Sequence, residues 1–161
     1  MSTIAPAPAA TALRLRPARA GDAYALWIWA NDPDMRHAAY DRAPIAWAEH
    51  LAWLARALHD PAHVVLLAES VVGQPLGAIR FDSADGWQSA RLSYVLAPEA
   101  RGQGQARPLV RAGVERLRES RAAAQVWAEV RPDNVRSLRV FRWLGWQEQP
   151  ATAYGVRFEL P

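Results

Sequence analysis

Tyr94-Val95-Leu96-Ala97-Pro98-Glu99-Ala100-Arg101-Gly102-Gln103-Gly104-Gln105-Ala106 joins the end of an apolar strand to the start of a helix through two glycines. Pro98 stops the strand. Gly102 and Gly104 let the backbone adopt positive φ and come close to a ligand. The amides of residues 102–106 then stand at a helix N-terminus, where unsatisfied N–H groups and the helix dipole favour an anion such as a pyrophosphate. Arg101 adds a positive charge beside them. The pattern is not a dinucleotide fingerprint, because Arg107 occupies the place of a third glycine and no parallel βαβ unit follows. On these residues alone, a glycine-rich turn holding nothing stays open beside the anion cradle.

Working outward from this stretch, apolar periodicity divides the chain. Leu13–Arg16 alternates apolar and charged residues and reads as a strand. Asp22 is a plausible N-cap for a helix that runs to Asp32-Pro33, since the residue before a proline avoids helical geometry. A polar loop is predicted over 34–44. A helix follows over 45–59, with Trp47, Leu51, Leu54 and Leu58 at spacings of three and four. Strands are predicted over 63–68, 76–81 and 87–97, separated by turn signals at Gly73-Gln74-Pro75 and Asp85-Gly86. Next come a helix over 105–120, a strand over 124–130, a helix over 134–144 and a last strand over 152–160. Pro108 is tolerated because it lies in a first helical turn. This order predicts an α+β fold with a mixed sheet. Residues 1–10 read as an Ala/Pro tail and residues 11–161 as one domain.

Composition excludes several chemistries. The Lys+Arg total of 19 contains no lysine, and there is no cysteine. A Walker-type loop, a Schiff-base lysine, a disulfide, a thiolate nucleophile and a cysteine zinc site are therefore ruled out. The four histidines make no metal pattern, because Pro61 interrupts His59 and His63. No Gly-x-Ser-x-Gly elbow supports a hydrolase. Arginine and glutamate are interspersed, so the net charge of +3 and pI near 9.9 point to small anionic ligands and not to nucleic acid. The longest apolar run, 24–30, is far short of the ~20 residues of a membrane helix, and no export signal is evident. A soluble, cytoplasmic protein is expected.

Arg101-Gly102-Gln103-Gly104-Gln105-Ala106 resembles the Arg/Gln-x-x-Gly-x-Gly/Ala acetyl-CoA motif of the GNAT superfamily of N-acetyltransferases. A second block, Asn134-Val135-Arg136-Ser137-Leu138-Arg139-Val140-Phe141-Arg142-Trp143-Leu144-Gly145-Trp146, resembles that superfamily's later helix. The resemblance implies a three-layer α/β arrangement of about four helices on a mixed sheet of about six to seven strands, with central strands that splay apart. It implies acetyl-CoA as cofactor. The pantetheine arm would lie in the splay on backbone groups of Leu96 and Ala97. The pyrophosphate would rest on the amides from Arg101 through Gly102, Gln103, Gly104 and Gln105 to Ala106. Asn134, Ser137, Phe141 and Arg142 would flank CoA, although a solvated helix face is an equal reading of Arg142.

Acetyl transfer to an amine needs a base, an oxyanion donor and in many cases an acid for the thiolate. A direct transfer needs no protein nucleophile, consistent with the absence of cysteine. Many relatives carry the acid as a tyrosine at the position matched by Phe141, which cannot donate a proton. Tyr94 is the substitute candidate, with a half-buried sheet tyrosine as the alternative. Glu129, in the apolar strand Val126-Trp127-Ala128-Glu129-Val130, is the candidate base, because burial there would favour a base working near neutral pH. A salt bridge to an arginine such as Arg131 is the competing reading, and Asp82 and Glu99 are weaker candidates. A backbone N–H near Leu96 would serve the oxyanion.

The N-terminal half resembles acetyltransferases of UDP-linked 4-amino sugars, on Trp27-Ile28-Trp29-Ala30-Asn31-Asp32-Pro33 and His50-Leu51-Ala52-Trp53. That implies a small-molecule amine acceptor such as a UDP-sugar, contacted by Asn31, Arg36, His37, His50, Trp53 and Arg80. Core packing is the competing reading for the tryptophans and His50. Other small amines, a protein N-terminus, and a non-catalytic acyl-CoA sensor remain open, as does a monomer or a homodimer.

Overall fold

The alternation Leu13-Arg14-Leu15-Arg16 becomes β1 (Leu13–Pro17), the edge of a seven-stranded sheet. The computed structural model describes residues 12–121 and 124–161; the Ala/Pro tail expected over 1–10 lies outside them. Beyond β1 the elements are α1 (Ala23–Asn31), α2 (Pro33–Ala38), α3 (Trp47–His59), β2 (His63–Ser70), β3 (Pro75–Asp82), β4 (Ser89–Leu96), α4 (Ala106–Arg118), β5 (Gln125–Val130), α5 (Val135–Trp143), β6 (Gln147–Glu148) and β7 (Val156–Glu159). The strand order is β1-β2-β3-β4-β5-β7-β6. All neighbours are antiparallel except β4 and β5, which are parallel.

The period-2 pattern of the strands builds three layers. Leu66, Ile79, Leu92 and Val126 point to one face, where they pack with Leu109, Val110 and Leu117 of α4 and Leu138 and Phe141 of α5. Leu67 and Ala78 point to the other, against Leu26 and Trp29 of α1 and Leu54 of α3. Gly113 brings α4 close to the sheet, since a Cβ there would collide with Ile79. Each large apolar side chain buried in this way is worth about 1.5–3 kcal/mol.

Three local expectations change. The loop expected from Asp34 begins as helix α2: Pro33 ends α1 but also suits a first helical position, and the Asp32 carboxylate accepts the Asp34 N–H at 3.1 Å as N-cap. There are thus five α-helices among the described residues. Asp22 does not cap α1 with its side chain. It closes the preceding 3-10 turn over Ala20–Asp22 by accepting the Arg19 N–H at 2.9 Å, and pairs with both Arg16 Nη atoms at 2.8 Å. Burial alone would raise the Asp22 pKa, but these donors hold it below the usual value. The last predicted strand is shorter than expected: β7 starts only at Val156, after a turn closed by the Thr152 N–H on the Gly155 carbonyl, and an unexpected two-residue strand, β6, precedes that turn.

Candidate active site

Strands β4 and β5 pair over three rungs, from Ser89–Gln125 to Arg91–Trp127. Beyond them β4 continues against β3 as far as Leu96, and β5 continues against β7 as far as Val130. The two strands therefore part, as the resemblance implied. The Ala97 N–H is bound to the Leu76 carbonyl at 2.9 Å. Backbone groups alternate in direction along a strand, so Val95 also faces β3, while Tyr94 and Leu96 face the gap. Ala97, expected to face the gap beside Leu96, is instead buried with its N–H spent, and the backbone groups that face the gap are those of Leu96 and Tyr94. The Leu96 carbonyl accepts Arg101 Nε at 3.2 Å, leaving its N–H directed into the gap.

The chain then makes a 3-10 turn over Pro98–Ala100 and enters α4 through Gly102 and Gly104, with φ of +73° and +74°. A Cβ built at either glycine meets nothing within 4 Å, so the amides open onto free space. That space is a cavity of about 920 Å³ bordered by Arg101, Gly102, Gly104, Gln105 and Ala106 on one side and by Asn134 to Ser137 on the other. Gln105 is buried, and its Oε1 has no hydrogen-bond partner. The open glycines and this orphaned amide oxygen fit a long polar ligand laid over the helix start. Gln103 turns away instead, donating from Nε2 to the Glu99 carbonyl at 2.6 Å. Arg101 spends Nη1 on Asp32 at 2.7 Å, tying the cradle to the cap of α2, while its buried Nη2 stays without a partner beside the cavity.

Across the gap, Asn134 caps α5 by accepting the Ser137 N–H at 3.2 Å. The Ser137 hydroxyl lies 3.0 Å from that of Tyr94. Burial raises the Tyr94 pKa, so this hydroxyl keeps its proton at neutral pH. Phe141 is a core residue packed on Tyr94, Trp146 and Phe158. Arg142 borders no part of the cleft: it forms a bidentate pair with Glu148 of β6 at 2.8 Å, and the arginines of α5 that border the large cavity are Arg136 and Arg139.

Behind Tyr94 and Ser137 the cleft continues into a chamber of about 210 Å³. Glu129 borders it. Its Oε1 accepts the Tyr40 hydroxyl at 3.0 Å and lies 3.9 Å from Arg91 Nη2. Arg131 is not its partner, being held by Asp133 at 3.1 and 3.2 Å. Desolvation, then the Glu129 contact, pushes the Tyr40 pKa up to about 12, so Tyr40 remains a donor. Asp82 and Glu99 are elsewhere: Asp82 pairs with His63 at 2.6 Å, and Glu99 is exposed on the 3-10 turn.

Most of the expected acceptor residues are structural. Asn31 clamps the loop before α3, accepting the Ile45 N–H at 2.7 Å and donating to its carbonyl at 3.1 Å. Arg36 borders the small chamber, but its guanidinium holds the carbonyls of Ala30, Asp41 and Ala43. Arg80 lies over Trp53 and pairs with Asp82, away from both cavities. Only His37 is exposed and borders the large cavity. His50 is 4% exposed and donates from Nε2 to the Ala23 carbonyl at 2.9 Å. The segment's tryptophans mostly pack with it and with one another. What the sequence reading missed is that Tyr40 and Arg91, far from Glu129 in the chain, are its partners.

Burial lowers the His50 pKa, so the unfolded chain binds this proton more readily than the folded one. The resulting stability is complete above about pH 6.5 and is lost as the pH falls from there through the folded-state value. Urea unfolding between pH 5 and 7 should show this slope in the native chain and a shallower one in His50→Gln. Equal slopes would contradict a neutral buried histidine. Among the described residues no cluster of His, Cys, Asp or Glu suits a metal ion, and no helix is long and apolar enough to cross a membrane.

An amide cradle at a helix start, opening onto a gap between parallel strands with a carboxylate beyond it, suits an extended, phosphate-bearing ligand. The family model described as Acetyltransferase (GNAT) domain matches residues 12–147, and the chain belongs to that family of acetyl-CoA-dependent N-acetyltransferases. No curated protein matches it in sequence. In structure it is similar to the spermidine N-acetyltransferase of Vibrio cholerae in complex with CoA and spermine, at 17% identity over 91% of this chain and 92% of that one, with a TM-score of 0.82. It is also similar to a domain from Methanocaldococcus jannaschii, at 16% identity over 93% and 98%, with a TM-score of 0.81. At these identities the likeness is one of fold.

Proposed function

We propose that this enzyme acetylates the primary amine of a small, anion-bearing molecule, with a nucleotide-linked amino sugar as the acceptor class that fits. The observation that carries the reading is the place of Glu129, in a small chamber that meets the large cavity at Tyr94 and Ser137. Acetyl-CoA supplies an acetyl group activated as a thioester. Leu96, Tyr94, Asn134 and Ser137 would hold its arm, and the amides from Arg101 to Ala106 its pyrophosphate.

Glu129 takes the proton from the incoming ammonium, freeing the nitrogen lone pair to attack the thioester carbon. The Leu96 N–H, directed into the gap, donates to the oxygen that becomes negative. Tyr94 donates its phenolic proton to the departing sulfur, a task open to it because Phe141 has no hydroxyl. The N–C bond forms and the C–S bond breaks; of the two protons the nitrogen sheds, the first stays on Glu129 until water removes it, and the second, released as the tetrahedral adduct collapses, restores the Tyr94 phenol by way of water.

The chamber's charge supports the acceptor class. Arg36, Arg91 and Arg131 border it with Glu129 as the one carboxylate among its bordering residues. Such a surround favours a molecule that carries an anion beside its amine and disfavours a polycation. The spermine complex of the Vibrio enzyme supplies the contrasting probe. Free thiol released from acetyl-CoA should be measured with a UDP-linked 4-amino sugar, spermidine and a peptide with a free N-terminus. The amino sugar should give the highest kcat/KM. Faster turnover of spermidine or peptide would move the acceptor class, and tight CoA binding with no thiol release for any amine would identify an acyl-CoA sensor.

A further inference from the structure

The cavity does not end at the cradle. Beyond Ala106 it runs to Arg107 on α4 and to Arg139 and Val140 on α5. Arg107 and Arg111 are four residues apart and share one face of α4; Arg139 and Trp143 are four apart on α5. The two pairs meet across the helices: Arg107 lies 3.9 Å and Arg111 5.2 Å from the Trp143 ring centre. Trp143 is 54% exposed although it is large and apolar. Arg101, Arg116, Arg131, Arg136 and Arg142 each have a carboxylate partner. Arg107, Arg111 and Arg139 have none within ion-pair distance among the described residues.

Arg107 and Arg111, gathered on an exposed tryptophan without carboxylate partners, repel each other, and with Arg139 on the cavity wall they gain most from a multiply charged anion. The direction of the cleft says which anion. With the pyrophosphate on the amides and the pantetheine arm between β4 and β5, the ribose end of CoA leaves over the first turns of α4. Arg111 stands about 8 Å along α4 from Ala106 at 1.5 Å per residue, within reach of a phosphate on that ribose.

We infer that Arg107, Arg111 and Arg139 bind the ribose 3′-phosphate of CoA, with Trp143 holding the two α4 guanidinium groups in place. The enzyme is then selective for CoA over its 3′-dephospho form. This rests on the reading of the large cavity as the CoA site.

Calorimetric titration of the full chain with CoA and with 3′-dephospho-CoA tests it. The native protein should bind CoA about tenfold more tightly or better, which is about 1.4 kcal/mol. The double variant Arg107→Gln, Arg111→Gln should bind the two ligands alike, with its dephospho-CoA affinity unchanged from native. That unchanged affinity also reports that the variant is folded. Equal binding of both ligands by the native protein would overturn the inference and leave the CoA site standing, as would discrimination that survives in the double variant. Failure of the native protein to bind either ligand would overturn both.

Discussion

Glu129→Gln is expected to lower kcat/KM for the amine by about 10²-fold or more, close to 2.7 kcal/mol of transition-state stabilisation. Acetyl-CoA affinity should not change. Glutamine keeps the shape and an oxygen that still accepts the Tyr40 hydroxyl, so the contact between the loop and β5 survives. What is lost is the ability to take a proton. The variant's pH–rate profile should differ in shape from the native one. A variant whose pH–rate profile keeps the native shape would show that Glu129 only anchors Tyr40 and Arg91, and that the base lies elsewhere.

Gly104→Val should raise the acetyl-CoA Kd by about 100-fold, or about 2.7 kcal/mol. Two effects act together. At φ +74° an L residue is strained by about 1–2 kcal/mol, and a β-branched one has the least freedom to adapt. The added side chain also projects into space that no protein atom fills, where the cofactor would approach. The fold should survive, because nothing in the protein is displaced. Titration calorimetry gives the affinity and thermal unfolding the stability. Native affinity in a folded variant would show that the phosphates do not lie on this turn.

The parts of the molecule legible beforehand are those whose cause is local. Alternation in Leu13–Arg16, the spacing of Leu51, Leu54 and Leu58, and the paired glycines before Ala106 each act over a few residues, and each produced its element. Glu129 stood out in the sequence because a lone acid in an apolar strand is itself a signal; its role as base stays a proposal. The arginines were not legible, because partners chosen in space decide their roles. Arg101 meets an Asp32 that is 69 residues away, and Arg142 meets Glu148 on a strand too short to show a period. The same blindness affected Asn31 and His50, which read as contacts for a ligand and serve as clamps within the protein. Helix α2 was missed for a different reason. An aspartate-proline pair both ends one helix and begins the next, and the sequence does not mark which.

The sheet's two halves, β1 to β4 and β5 to β7, are joined edge to edge by only three rungs. A donor whose arm lay in that gap would be a building element as well as a reactant. Its binding to the folded chain alone adds stability by mass action, growing with the logarithm of its concentration above Kd. The lifetime of this enzyme would then follow the supply of acetyl-CoA, and scarcity would remove the catalyst along with its reagent.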